Sequence, residues 1–139
     1  MLSCAFYPQP SGRNQLEDFA LMLAQGTPEL MAWMWCDGSV PMGNEEPMRE
    51  FAAFYRSLPM GRYETTSQAD GVFVRRLKGK RQGATVFYVV NTNRKPATAQ
   101  VRLPGAKATD LVSGQTIAVQ GGRFTIPLKQ AEMRAFRAD

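Results

Sequence analysis

The run Trp33-Met34-Trp35-Cys36-Asp37 holds the side chains best suited to chemistry in this 139-residue sequence. Side chains alternate along an extended backbone, so Trp33 and Trp35 face the same way. An indole stacks on the face of a sugar ring, and the Asp37 carboxylate can bind its hydroxyls. The competing and simpler reading is that both indoles are packing residues. Tyr7, at the end of the first apolar run, is a further candidate for lining a ligand cleft. Glu45 and Glu46 have the look of paired acids. Sequence neighbours do not share a helix face, however, and the positive end of a helix explains both more simply.

Much chemistry is excluded by composition. The chain has no histidine, which removes Ser-His and Cys-His nucleophiles, histidine general bases and histidine-containing zinc sites. Its two cysteines, Cys4 and Cys36, cannot make a four-thiolate site. They read as buried free thiols, with a single bridge as the alternative. The segment GVFVRRLKGK is no phosphate loop, because no helix follows its glycines. The methionines fall mostly at core positions. Neither a metal nor a cofactor is expected.

The net charge of +5 hides an asymmetry. Residues 1–60 carry three basic and seven acidic side chains, and residues 61–139 carry fourteen and five. A positive second half can attract nucleic acid or an acidic partner, or simply pack on the first half. Its densest run is Arg75, Arg76, Lys78, Lys80 and Arg81. Single-strand binders combine such a groove with stacking rings, and few aromatics stand beside this one. A solvated hairpin tip whose lysines discourage edge-to-edge pairing is preferred, and nucleic acid is disfavoured as a partner.

The elements that must position these residues fall into two stretches. In NQLEDFALMLAQG, Leu16, Phe19, Ala20 and Leu23 form one helical stripe. Asn14 reads as its N-cap with Glu17 three residues on, and Gly26 as its stop. In EEPMREFAAFYRSLP, Phe51, Phe54, Tyr55 and Leu58 form a second stripe that Pro59 ends. Leu30 to Cys36 and LSCAFY suit buried strands, which gives the rhythm of βα units with a parallel sheet. From Gly61 onward, six to eight short strands with turn residues between them read as an antiparallel sandwich or barrel. Val86 to Val90 suits a central strand, and Pro127 marks an edge strand. Ser113-Gly114 and Gly121-Gly122 read as hairpin-type turns. The fold class is α+β.

The second stretch resembles the C-terminal β-sandwich that ends many (β/α)8-barrel glycoside hydrolases. The resemblance rests on a strand ending in Asn91 and a strand carrying Val101 and Leu103. It continues with the turn Asp110-Leu111-Val112-Ser113-Gly114, the strand Arg123 to Leu128, and the terminal Arg134-Ala135-Phe136. A Pro-Tyr or similar pair usual before the last strand is replaced by Gln130-Ala131. The first stretch looks like the last units of such a barrel, ending in the helix that leads to the sandwich. The resemblance implies a barrel-derived βαβα segment over residues 1–60 and a glycoside-hydrolase-like sandwich over 61–139. It also puts Trp33, Trp35 and Asp37 at the end of a barrel strand, where such enzymes contact substrate.

Two βα units are about a quarter of a barrel and cannot close on themselves. A glycosidase needs two carboxylates about 5–10 Å apart, and in the family these sit on barrel strands that lie outside the resemblance. The expectation is a fragment or relic without that pair: a non-catalytic module with a structural or protein-interaction role and at most weak carbohydrate binding. An oligosaccharide is the candidate ligand, and self-association through residues 1–60 the candidate assembly. No apolar run approaches the ~20 residues that span a bilayer, and the start lacks a basic n-region. The chain as it stands is therefore expected to be cytoplasmic.

Overall fold

The protein is described by a computed structural model over residues 12–28, 45–103 and 107–139. After residue 60 come β1 (Tyr63–Ala69), β2 (Val72–Leu77), β3 (Thr85–Asn91), β4 (Ala97–Arg102), β5 (Lys107–Asp110), β6 (Thr116–Ala118), β7 (Arg123–Leu128) and β8 (Met133–Ala138). These strands lie where the alternating and apolar runs put them. Every pairing among them is antiparallel. Six form one sheet in the order β1-β2-β3-β8-β5-β6, and β4 and β7 form a second. Helices α1 (Glu17–Gln25) and α2 (Glu45–Ser57) precede them.

The six-stranded sheet is the middle of three layers. On β3, Val86, Tyr88 and Val90 join a core shared with Leu16, Phe19, Leu23 and Phe54 of the helical layer. Phe87 and Val89 point the other way, into a core shared with Val101, Phe124 and Ile126 of the small sheet. A strand covered on both faces must be apolar throughout, which is why β3 shows no alternation. β7 is covered on one face only. Its Phe124, Ile126 and Leu128 are buried, and its Arg123, Thr125 and Pro127 are exposed. Pro127 lies on a strand that pairs on one side only among the described residues, as expected of an edge strand.

Three chain reversals are two-residue loops with both φ values positive: Asp70-Gly71 (48° and 75°), Gln82-Gly83 (51° and 81°) and Gly121-Gly122 (59° and 72°). Mirror-image turns of this kind match the twist of the strands they join. Gly71 is constrained twice over, since a Cβ there would stand 2.7 Å from Asn93 Oδ1.

The α1 stripe is buried as expected, but the ends of α1 differ from expectation. A short 3-10 turn, Gly12–Leu16, leads into it, and Leu16 takes the cap position without a side-chain hydrogen bond. Asn14 is not the cap, because Gln130 Nε2 donates to its Oδ1 at 2.5 Å. Glu17 is likewise drawn away from a capping box, pairing with Arg94 at 3.1 Å. Long-range partners here outcompete the local cap. Gly26 does end the helix, but in an extended conformation (φ −96°, ψ −178°) rather than a left-handed one.

In α2 only Phe54 is fully buried, and Phe51, Tyr55 and Leu58 are half-buried against it. The expected strands LSCAFY and Leu30–Cys36 lie outside the described residues. The parallel βα arrangement expected of them does too. Among the described residues, no helix is long and apolar enough to cross a membrane.

Candidate functional site

Trp33, Trp35, Asp37 and Tyr7 lie outside the described residues, as do Cys4 and Cys36. The basic run is described in full, and it divides. Arg76, Lys78, Lys80 and Arg81 are exposed around the β2–β3 hairpin. Lys78 Nζ lies 3.6 Å from Glu64 Oε1, and Arg81 Nη2 donates to Met60 O at 2.6 Å. Arg75 departs from the expected patch. It is 6% exposed, because it lies on the opposite face of β2 from Arg76 and points into the helical layer.

Arg75 there completes the end of α1. The last carbonyls of a helix have no partner within it, and their partial negative charge attracts a cation. Gly26 N–H takes Met22 O at 2.6 Å, and the Tyr88 hydroxyl donates to Leu23 O at 2.8 Å. Arg75 donates to Ala24 O at 3.2 Å and Gly26 O at 2.7 Å. The same guanidinium reaches Thr65 Oγ1 at 2.9 Å and Tyr63 O at 3.1 Å on β1. One planar fork thus ties helix, edge strand and second strand together. Its Nε is buried without a partner among the described residues.

Burial raises the pKa of the Tyr88 phenol, and the adjacent Arg75 only partly offsets this. Tyr63, whose hydroxyl donates to Pro59 O at 3.0 Å, is also pushed well up by burial and by Tyr88. Both phenols are therefore neutral donors at ordinary pH.

Arg13 makes the second tie. It forms a fork on Glu50 of α2, at 2.6 and 3.0 Å, and donates to Gln130 O at 2.7 Å. Gln130-Ala131, the pair that departs from the family pattern, forms the β7–β8 turn. Gln130 reaches the helical layer there, and Ala131 is buried at φ 48°.

Two motif residues behind the resemblance turn out to be turn pins. Asn91, fully buried, donates to Lys95 O and Lys129 O at 2.9 and 2.8 Å, and accepts from Asn93 N–H at 3.0 Å. Asp110 accepts from the N–H groups of Val112 and Ser113, each at 2.9 Å, and from Arg134 at 2.7 and 3.0 Å. Burial works to raise its pKa, but the Ser113 N–H, Arg134 and the Val112 N–H outweigh it and hold the carboxyl below the ordinary range.

The described surface also holds an open groove of about 350 Å³. One side is the β1–β2 hairpin, with Ser67, Ala69, Asp70, Val72 and Val74. The other runs from Asn93 and Lys95 along Thr98 and Gln100 of β4. Sequence reasoning missed both the groove and the inward role of Arg75. The signal for Arg75 was present: it alternates with Phe73 and Leu77 on one strand face, and an arginine between two apolar neighbours on that face points inward.

No protein-family model matches this chain, and no curated protein does. Solved structures do. An α-galactosidase/melibiase-like protein of Bacteroides fragilis aligns with 91% of this chain at 17% identity and TM-score 0.59. AmyP, solved with maltotriose, aligns with 74% at 14% identity and TM-score 0.57. The α-amylase of Geobacillus thermoleovorans, solved with acarbose, aligns with 74% at 13% identity and TM-score 0.56. The chain spans 28%, 23% and 24% of those proteins respectively. The likeness is one of fold, and the fold is that of a C-terminal glycoside-hydrolase-related region.

Proposed function

We propose that this chain is a non-catalytic, glycoside-hydrolase-like C-terminal module with a structural role. It holds two helices in a fixed pose on a β-sheet, so that further protein can be built on them. The observation that carries this reading is the buried Arg75 fork, which joins the end of α1 to β1 through four acceptors. Arg75 has no carboxylate partner among the described residues; burying a cation so costs free energy, and holding the helix in place is what that cost obtains. The outward face of α1 supports the same reading, since Leu21 and Met22 are 48% and 42% exposed. Apolar surface of this kind invites association, so self-association through residues 1–60 is part of the proposal.

Two measurements test it. Chromogenic α-galactosides and α-glucosides incubated with the purified chain should give background rates, and saturable turnover proportional to protein would contradict the non-catalytic reading. Sedimentation should show a concentration-dependent dimer that Leu21→Glu/Met22→Glu disperses, whereas a monomer at all concentrations would sink the self-association.

A second reading, oligosaccharide binding through Trp33, Trp35 and Asp37, is favoured by one observation: AmyP, of similar fold, was solved with maltotriose. The chain's two tryptophans are both in this run, so its fluorescence reports there alone. A saturable, salt-insensitive shift with maltotriose that Trp35→Ala abolishes is the expected result, and a flat titration rejects the reading.

A further inference from the structure

The groove lies where the small sheet stops short of the large one. The large sheet is six strands wide and the small one two. The face of β1–β2 that carries Ala69, Val72 and Val74 continues past β4 as the groove floor. Ladder parity identifies what β4 presents there. Leu103 N–H bonds Gly122 O, and the register continues from Arg102↔Arg123 to Ala97↔Leu128. In an antiparallel ladder, bonded and non-bonded pairs alternate. Val101, Ala99 and Ala97 therefore bond to β7, while Thr98 and Gln100 turn their N–H and C=O groups towards the edge that has no strand partner among the described residues. The Gln100 side chain points elsewhere, accepting from Thr125 at 3.2 Å on the exposed face. What Gln100 brings to the groove is its main chain. Pro127 stands opposite Thr98, at a non-bonded pair, where its missing N–H costs no ladder bond.

We propose that this edge of β4 takes an extended, acidic peptide segment of a partner protein as a third strand of the small sheet. Main-chain groups of Thr98 and Gln100 supply the pairing, and the small apolar floor receives alternate side chains, as in strand addition to an open edge. Charge selects the occupant. The half of the chain that builds both sheets has fourteen basic and five acidic residues. Lys95, Arg102 and Arg123 around β4 form no ion pair with an acid among the described residues, and they outnumber the one acid of the groove lining, Asp70. A second copy of β4 would bring its own Lys95 and Arg102 against these, and like charges across a strand pair are unfavourable. An oligosaccharide would find no aromatic ring among the groove's lining residues.

The test is residue-resolved hydrogen exchange on the full chain with a short capped peptide alternating valine and glutamate. A valine–lysine version is the control. In the free chain, Thr98 and Gln100 amides should exchange rapidly while Ala99 and Val101 stay protected. The glutamate peptide should slow Thr98 and Gln100 saturably, by about tenfold or more, and the lysine peptide should not. Gln100→Pro removes one outward N–H, leaves the bonds to β7 in place, and should abolish the effect with Ala99 still protected. The proposal is overturned if the glutamate peptide gives no protection, or if the lysine peptide protects equally. It is also overturned if protection appears with rising chain concentration alone, which would mean a second copy, or with maltotriose, which would mean a sugar site.

Discussion

The two faces of the six-stranded sheet are covered in different ways. Towards the small sheet, Phe87, Phe124 and Phe136 pack ring against ring with centroids 5.3–6.1 Å apart, and buried Asn91 donates to the main chain just outside β4 and β7. Towards the helices, aromatic contacts are also present, with Phe19 stacked on Phe51 at 4.3 Å and Phe54 edge-on to Tyr88 at 5.9 Å. That face has more ties from side chain to main chain, through Arg75, Tyr88 and Arg13, and one of them is a buried cation with no carboxylate partner among the described residues. Each sheet fixes its own geometry through strand ladders and register, and the polar groups buried between the sheets are a neutral amide, Asn91, and a carboxylate, Asp110, matched by Arg134. A helix lying on a sheet has no ladder to it and can slide or roll. Directional bonds to its last carbonyls set its pose.

The largest effect is expected on the sandwich side. Phe136→Ala removes the ring that stacks on Phe87 and edges Phe124, and should cost about 3–5 kcal/mol in denaturant unfolding. A loss under about 1 kcal/mol would mean that this core is loosely packed. Next comes Arg75→Met, which keeps the volume but strands the carbonyls of Ala24 and Gly26. It should cost about 2–4 kcal/mol. Arg75→Lys should recover only part of this, because one ammonium cannot span four acceptors. A neutral Arg75→Met would erase the proposed difference between the faces. Tyr88→Phe deletes a single bond to Leu23 O and keeps the ring contacts, so a loss of about 1 kcal/mol is expected.

The smallest effect sharpens the comparison through pH. Asp110 has a folded pKa below its ordinary value. Its contribution is therefore fully present above about pH 4 and is lost as pH falls through the depressed folded value. Asp110→Asn should lower stability at neutral pH and flatten the acid limb of the stability profile. An acid limb unchanged by the substitution would count against the Arg134–Asp110 tie.

The difference between the faces also governs what the sequence reveals. All eight strands were legible, since one-sided burial writes alternation into β4 and β7 and two-sided burial writes the apolar run of β3. The apolar stripe of α1 was legible for the same reason. Its caps were not. Asn14 looks like a local cap, yet its partner Gln130 is 116 residues away, and no local pattern encodes that choice. Arg75 read as part of a basic run because charge counting ignores which way a strand side chain points. The groove was illegible because main-chain groups line one wall, and a β4 edge unpaired among the described residues follows from sheet order rather than from residue type. Asn91 and Asp110 were visible as motif residues, but their work as turn pins became clear only with their acceptors and donors in view.

The most direct test of the joined layers is native-state hydrogen exchange of the α1 amides against those of β3. If the Arg75 and Tyr88 ties make helix and sheet one cooperative unit, Leu23 and Ala24 should exchange with the same opening free energy as Tyr88 and Val89, and Arg75→Met should drop the helix alone. Exchange of α1 through a separate low-energy opening in the unsubstituted chain, with β3 still protected, would contradict it.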